Sequence, residues 1–237
     1  MAAGKKGSTY YDHLEVLRLN LIAIAVFFTV TGIISFIFVE NIMVFLQEPI
    51  KNIDVNLYYF RPQEKFLAYI KIAFFSGLFF TIPFSIFVLG VFMYPGLKKT
   101  EKKYFFIFTL LIPLVFLAGG FFAYKVITPA AFTFLINFAS GDNVSPVWGI
   151  SAYFNFLISL IFIMGIIFLL PLALFGLMKA GLVSSRRLSS LRPAVLVSIL
   201  VTAAFFTPPD IVTQVLVGVP LYLLFELSVI AGRLAGN

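Results

Sequence analysis

Long stretches without any charged side chain constrain this chain more than any other feature. The longest is a run of 36 residues, and four others exceed 16 residues; the runs are 143–178, 20–39, 72–97, 104–124 and 193–209. A backbone crosses hydrocarbon only where its hydrogen bonds are closed, so apolar runs of about 20 residues indicate membrane-spanning helices. The sequence therefore predicts an all-α polytopic membrane protein embedded in a lipid bilayer.

Composition excludes several other classes of protein. Charged residues make up 11% of the chain, against about 25% in soluble domains. There is no Cys, and His13 is the single histidine, so neither a thiolate centre nor a histidine metal cluster is expected. No nucleophile–base pair or phosphate-binding loop occurs, and we expect neither an enzyme nor a cofactor. The net charge of +7 comes from residues between apolar runs, and nucleic acid is not an expected partner.

Six spans are predicted within a single membrane domain that covers residues 1–237. Their approximate bounds are 19–39, 66–94, 104–127, 150–178, 193–207 and 212–230. Residues 40–65 and 128–149 are predicted to be loops. The fifth span is short, because 15 helical residues reach about 23 Å while the hydrocarbon core is about 30 Å thick. A hairpin of this length is expected to thin the bilayer locally.

The basic residues are distributed unequally between the two sides of these spans. Six spans place both termini on one side, and that side holds twelve Lys and Arg against five on the other. The twelve are Lys5, Lys6, Arg18, Lys98, Lys99, Lys102, Lys103, Lys179, Arg186, Arg187, Arg192 and Arg233. The positive-inside rule therefore predicts cytoplasmic termini.

Local signals predict two further features of the helices. Residues 9–12 fit a capping box, which predicts a short surface helix before the first span. A proline lies inside four of the spans, at Pro83, Pro113, Pro171 and Pro220. Because a proline inside a helix removes one backbone hydrogen bond and bends the axis, these positions predict a curved bundle.

Three acidic residues are candidates for a functional role. Glu15 and Arg18 lie three residues apart on one flank of a helix, either as an ion pair or with Glu15 open to a cationic partner. Glu101 lies among four lysines, either as their counter-charge or as an exposed carboxylate for a guanidinium group. Glu226 has apolar neighbours on both sides, which favours a position facing the bundle interior.

On these residues alone the chain is a transporter, a translocase or a scaffold for single-span partners. A secondary transporter for a small solute needs a polar or charged site at mid-membrane. The predicted spans contain no mid-span charge apart from the off-centre Glu226. The solute transporter therefore stays as the alternative to a translocase.

A series of short motifs follows in order along the six spans. They are residues 13–18, 48–50 and 60–66, residues 94–97 with Glu101, residues 119–124 with Pro129, residues 207–210 with Gln214, and residues 220–226. In this order the motifs resemble those of the TatC family, the signal-recognition subunits of the twin-arginine protein translocase. The resemblance covers nearly the whole chain.

The resemblance implies a cup-shaped six-helix bundle in the cytoplasmic (inner) membrane of a bacterium or archaeon. It implies an oligomeric complex with TatB-like and TatA-like single-span subunits, which exports folded proteins with the proton-motive force. Its cargo would carry twin-arginine signal peptides, bound at the cytoplasmic face. The residues that match signal-binding positions are Glu101, Glu15, Arg18 and Pro95, and those that match structural or assembly positions are Pro49, Phe66, Tyr124, Asp210, Gln214 and Glu226.

The chain departs from the family pattern at three positions. Val16 stands where the family usually has a glutamate three residues after the histidine, and Glu15 precedes it by about 100° around a helix. Asn20 replaces a basic residue. Leu169 replaces a Glu or Gln that would meet partner helices in the fourth span.

Overall fold

The computed structural model describes residues 5–51, 53, 56–94, 99–139, 147–179, 183–206 and 211–234. Most of these residues are helical. The helices are α1 (Lys5–Ile37), α2 (Val39–Gln47), α3 (Glu64–Met93), α4 (Lys99–Phe122), α5 (Thr128–Ala139), α6 (Ile150–Phe168), α7 (Leu170–Lys179), α8 (Ser185–Ser190), α9 (Arg192–Phe206) and α10 (Ile211–Leu234). Two short strands, β1 (Leu57–Tyr58) and β2 (Trp148–Gly149), pair in parallel.

Five helical stretches of the described residues are long and apolar enough to cross a membrane. They are His13–Ile37, Glu64–Met93, Phe105–Ile136, Ile150–Met178 and Val217–Leu234. A shorter apolar stretch, Arg192–Ala204, lies in the 15-residue helix α9. Each of the six predicted spans falls on one of these stretches.

The N-terminal segment differs from its prediction. Helix α1 runs without a break from Lys5 to Ile37, so the separate surface helix expected before the first span is wrong. Residues 13–20 are mostly Leu, Glu, Arg and other helix-compatible residues with no Gly or Pro, and nothing there ends a helix.

The predicted loop at residues 40–65 begins with helix instead. After a single turn residue, Phe38, the chain forms α2 and then a 3₁₀ turn over Glu48–Ile50. Met43, Leu46 and Ile50 are buried, and their spacing of three and four residues puts them on one helical face. The sequence pattern does not predict this short amphipathic helix, because Glu40 interrupts the apolar run.

The predicted loop at residues 128–149 is also partly helical. A π turn over Ala123–Ile127 follows α4, and α5 continues from Thr128 to Ala139. The Thr128 hydroxyl donates to the Ala123 carbonyl oxygen at 2.9 Å. Pro129 lies in the first turn of α5, where the missing N–H of a proline costs little.

The fourth predicted span is interrupted rather than merely bent. Helix α6 ends at Phe168 and α7 starts at Leu170. Between them the Leu169 N–H bonds the Ile166 oxygen at 3.0 Å, three residues back. Pro171 explains the break, because it supplies no N–H to continue the ladder of the preceding turn.

The chain divides into two compact units, and the first comprises residues 1–39 and 70–114. In it α1 and α3 cross at two glycines: a Cβ on Gly77 would lie 2.9 Å from the Gly32 Cα. The Thr31 hydroxyl lies 3.3 Å from the Gly77 oxygen, and the rings of Phe27 and Phe84 stack at 4.1 Å. Small residues thus let these two helices approach closely.

The second unit comprises residues 40–69 and 115–237. One buried cluster joins the π turn, α6, α9 and α10 through Ala123, Ile127, Leu160, Met164, Ile199, Ala203, Val217 and Leu221. At Gly119 a Cβ would lie 2.5 Å from the Met164 oxygen, so α4 and α6 pack backbone to backbone there. A smaller cluster joins α7, α8 and α10 through Met178, Leu188, Phe225 and Val229.

Candidate functional site

Glu15 and Arg18 are both exposed on α1. In the described part of the chain neither side chain has a hydrogen bond or an ion pair, so the predicted intrahelical pair does not form. An exposed pair at this spacing is worth a few tenths of a kcal/mol, which does not offset the ordering of two long side chains. The Glu15 carboxylate is therefore open to a partner.

His13 fixes the face of α1 on which Glu15 lies. The His13 ring stacks on Phe92 of α3 with centroids 4.3 Å apart. Glu15 follows His13 by two residues, about 200° around the helix, and so points away from that contact. Val16, which stands at the family's glutamate position, is also exposed.

Glu101 is the third residue of α4, and its backbone is helical. The first turn of a helix stabilises a carboxylate through its free N–H groups and the helix dipole. The neighbouring Lys102 holds its ammonium 4.9 Å from the centre of the Tyr94 ring. The Glu101 side chain and Pro95 lie outside the described residues.

Glu15 and Glu101 belong to the same end of the first unit. The His13–Phe92 stack joins the start of α1 to the end of α3, and α4 begins six residues after Met93. The backbones of these two predicted signal-binding residues thus belong to the same, lysine-rich end of the helices, which we call the basic end.

A second group of predicted residues surrounds the C-terminal end of α2. The last carbonyls of a helix lack internal donors, and Phe45 would normally accept from residue 49, which is Pro49 and has no N–H. The Tyr124 hydroxyl lies 2.5 Å from the Phe45 oxygen and 2.9 Å from the Glu48 carboxylate. The Tyr153 hydroxyl donates to the Leu46 oxygen at 2.5 Å. Two tyrosines therefore cap α2.

Replacing Tyr124 with phenylalanine is expected to lower the free energy of unfolding by about 1–3 kcal/mol, because the Phe45 carbonyl and the Glu48 carboxylate lose the one O–H that they share. Adding Pro49→Ala in the same chain should restore part of this loss by supplying an N–H. Tyr222→Phe removes a hydroxyl without a hydrogen bond in the described structure and serves as the control. Unfolding in mixed micelles, followed by circular dichroism, measures all three; a double variant no more stable than Tyr124→Phe would contradict the capping role.

Glu48 carries the electrostatic signature of this cap. A hydrogen bond from Tyr124, then a hydrogen bond and the charge of Lys125, hold the pKa of the Glu48 carboxyl below its ordinary value of 4.5. The Lys125 ammonium lies 3.2 Å from the carboxylate. Both side chains of this ion pair are about half exposed, which keeps its contribution small.

The lowered pKa of Glu48 predicts a pH dependence of stability. A depressed pKa stabilises the fold fully above the unfolded value, and the gain is lost as pH falls through the folded value. Stability should therefore decline below about pH 4.5, and Glu48→Gln should flatten that part of the profile. Thermal unfolding in detergent from pH 7 to pH 3 measures it, and parallel profiles for the two proteins would refute the assignment.

Glu226 is not alone among apolar residues. The Arg192 guanidinium at the start of α9 binds it with both arms: Nε donates to one carboxylate oxygen at 3.1 Å and Nη2 to the other. The side chains are 36% and 28% exposed respectively. Sequence reasoning used Arg192 only for topology, and no local signal connects residues 34 positions apart.

The other predicted assembly residues have simpler surroundings. The Gln214 amide on α10 donates to the Leu200 carbonyl oxygen of α9 at 2.8 Å and borders a groove of about 350 Å³ with Val197 and Val201. Phe66 is exposed near the start of α3. Asp210 lies outside the described residues.

Among the residues the structure describes, no cluster of three His, Asp or Glu could hold a metal ion.

Comparison with known proteins assigns the chain to a protein family. A family model described as "Sec-independent protein translocase protein (TatC)" matches residues 12–220. The chain belongs to the TatC family. It is 36% identical to TatC of Koribacter versatilis (94% of this chain, 84% of the relative) and 32% identical to TatCy of Bacillus subtilis (94% and 88%). A crystal structure of the twin-arginine translocase receptor TatC shares 32% identity with a TM-score of 0.79, covering 95% of this chain and 100% of that one.

These matches confirm the helical polytopic membrane fold and the function as a TatC subunit of the twin-arginine translocase. The protein is a multi-pass membrane component of a translocase complex. Because this family transports proteins, the alternative function as a small-solute transporter is wrong. The residues that sequence reasoning missed are Arg192 and Tyr153, whose partners become visible only in three dimensions.

Proposed function

We propose that this TatC protein binds twin-arginine signal peptides at the basic end of its first unit. Glu101 and Glu15 would supply carboxylates, and Arg18 and Pro95 are the other proposed signal-binding residues. The observation that carries the proposal is the exposed Glu15 carboxylate, which has no partner in the described structure, at the same end as the start of α4. A free carboxylate accepts two parallel N–H bonds from a guanidinium group, which an ammonium group cannot supply.

The same proposal places this end of the protein in the cytoplasm. The excess of Lys and Arg on the side of the termini supports that orientation, in the cytoplasmic (inner) membrane of a prokaryote. Export of folded cargo would draw on the proton-motive force.

TatB-like and TatA-like single-span subunits are the proposed partners of the α9–α10 hairpin. Support comes from the exposed apolar side chains of Val197 and Val201, beside the amide of Gln214. In hydrocarbon, a polar group within an apolar helix face favours helix association. The Arg192–Glu226 pair would hold the two helices in position for that contact.

Site-specific crosslinking tests the signal-binding site. A photoreactive residue at position 100, next to Glu101, should crosslink to a twin-arginine signal peptide, whereas one at position 65, at the other end of α3, should not. A peptide with Lys-Lys in place of Arg-Arg should crosslink weakly at position 100. Equal crosslinking of the two peptides would contradict recognition by bidentate carboxylates.

A further inference from the structure

An apolar groove runs between α3 and α4 at the basic end of the first unit. Its volume is about 290 Å³. The side chains along it are largely aromatic or aliphatic: Phe87, Val91, Tyr94, Phe106 and Leu110. Each of them is also exposed to the surroundings of the protein, so the groove opens outward.

A close helix contact forms one part of the groove wall. A Cβ on Gly90 would lie 2.7 Å from the Thr109 hydroxyl oxygen, so α3 and α4 touch at that level. Thr109 is buried. A soluble polar ligand would therefore find almost no hydrogen-bonding group along the groove, whereas a hydrocarbon chain would find a continuous apolar wall.

A positive charge stands beside this apolar wall. The Lys102 ammonium lies 4.9 Å from the ring centre of Tyr94, which is itself a lining residue. Residues 98–103 contain four lysines and one glutamate. Basic clusters next to membrane spans attract anionic lipids, each Lys contributing a roughly fivefold gain in affinity.

We propose that this groove holds one acyl chain of an anionic phospholipid whose phosphate is bound by Lys102. Charge complementarity selects this occupant: a zwitterionic lipid fits the apolar wall equally well but gains little from the lysines. Both helices cross the membrane, so lipid reaches the groove without leaving the bilayer. The lipid would lie within one helical turn of Glu101, because Phe105, another lining residue, follows Glu101 by four positions.

Native mass spectrometry of the full chain tests the proposal. The protein in detergent is mixed with phosphatidylglycerol or phosphatidylcholine of identical acyl chains, and the fraction that retains one lipid is measured. The unaltered protein should retain phosphatidylglycerol preferentially. Lys102→Gln should lower phosphatidylglycerol affinity about fivefold and phosphatidylcholine affinity less, because the choline cation offsets the charge of the phosphate. Lys65→Gln is the matched control, because Lys65 also lies over a tyrosine ring, that of Tyr69 at 5.6 Å, and should have no effect.

Filling the groove provides the second measurement. Val91→Trp, or Leu110→Phe if the first variant does not fold, should lower retention of both lipids. Unchanged retention in a folded filled variant, or an equal effect of Lys65→Gln and Lys102→Gln, would overturn the proposal. If a filled variant kept its lipid but lost crosslinking to the signal peptide, the groove would belong to the peptide, and the lipid site would again be overturned.

Discussion

Binding of a twin-arginine signal peptide should weaken about 10- to 100-fold when Glu101 is replaced by alanine. The variant removes a charge-assisted pair of hydrogen bonds that together contribute about 1.5–3 kcal/mol, and 1.4 kcal/mol corresponds to a factor of ten in affinity. Fluorescence anisotropy with a labelled peptide and purified protein measures the dissociation constant.

Two companion variants make this result specific. Glu40→Ala removes an exposed acid of α2, in the other unit, and should leave peptide affinity unchanged. Glu15→Ala should weaken binding less than Glu101→Ala. If Glu101→Ala bound normally while Glu15→Ala abolished binding, the two roles would be reversed. Equal export of Arg-Arg and Lys-Lys cargo would argue against guanidinium recognition altogether.

Loss of the Arg192 side chain should lower the free energy of unfolding by about 2–3 kcal/mol. Arg192→Ala leaves the Glu226 carboxylate among apolar side chains without its bidentate partner, and an unpaired buried charge is costly. The estimate lies below the range of about 3–5 kcal/mol for a fully buried pair, because both side chains remain partly exposed. Thermal unfolding in detergent should shift down by about 5–10 °C.

A double substitution separates the effect of the lost charge pair from the effect of lost packing. A double variant, Arg192→Leu with Glu226→Leu, removes both charges and should be more stable than Arg192→Ala, because no carboxylate is left unpaired. Assembly with partner subunits should suffer in both variants if the pair orients the α9–α10 hairpin. A double variant as unstable as Arg192→Ala would show that packing of the arginine stem dominates.

The membrane helices could be predicted from sequence because span formation depends on a local property. Any run of about 20 apolar residues must close its own hydrogen bonds in hydrocarbon, whatever surrounds it. Helices α2 and α5 could not be predicted in the same way, because the sequence signals in those two segments conflict. Glu40 interrupts the apolar pattern before α2, but burial of Met43 stabilises that helix. Pro129 is a residue typical of loops, but the π turn continues the helix from α4 into α5.

The candidate site was predictable only in part, for the same reason. The motifs around Glu15 and Glu101 are contiguous in sequence, and the geometry brings the backbones that carry them to one end of the first unit. Spacing alone favoured a Glu15–Arg18 pair, but an exposed pair gains too little to persist. The bond between Arg192 and Glu226 joins positions 34 residues apart, and the sequence around either residue does not predict it.

The tyrosine caps on α2 impose an order on biogenesis. The carbonyls at the end of α2 find their donors 79 and 107 residues later in the chain, on helices that enter the bilayer after α2 has emerged. Until Tyr153 has been inserted, the Leu46 carbonyl lacks its tyrosine donor. In a chain stalled on the ribosome before residue 153, the C-terminal end of α2 would therefore be only partly capped. Insertion of the fourth span, which carries Tyr153, would complete the cap.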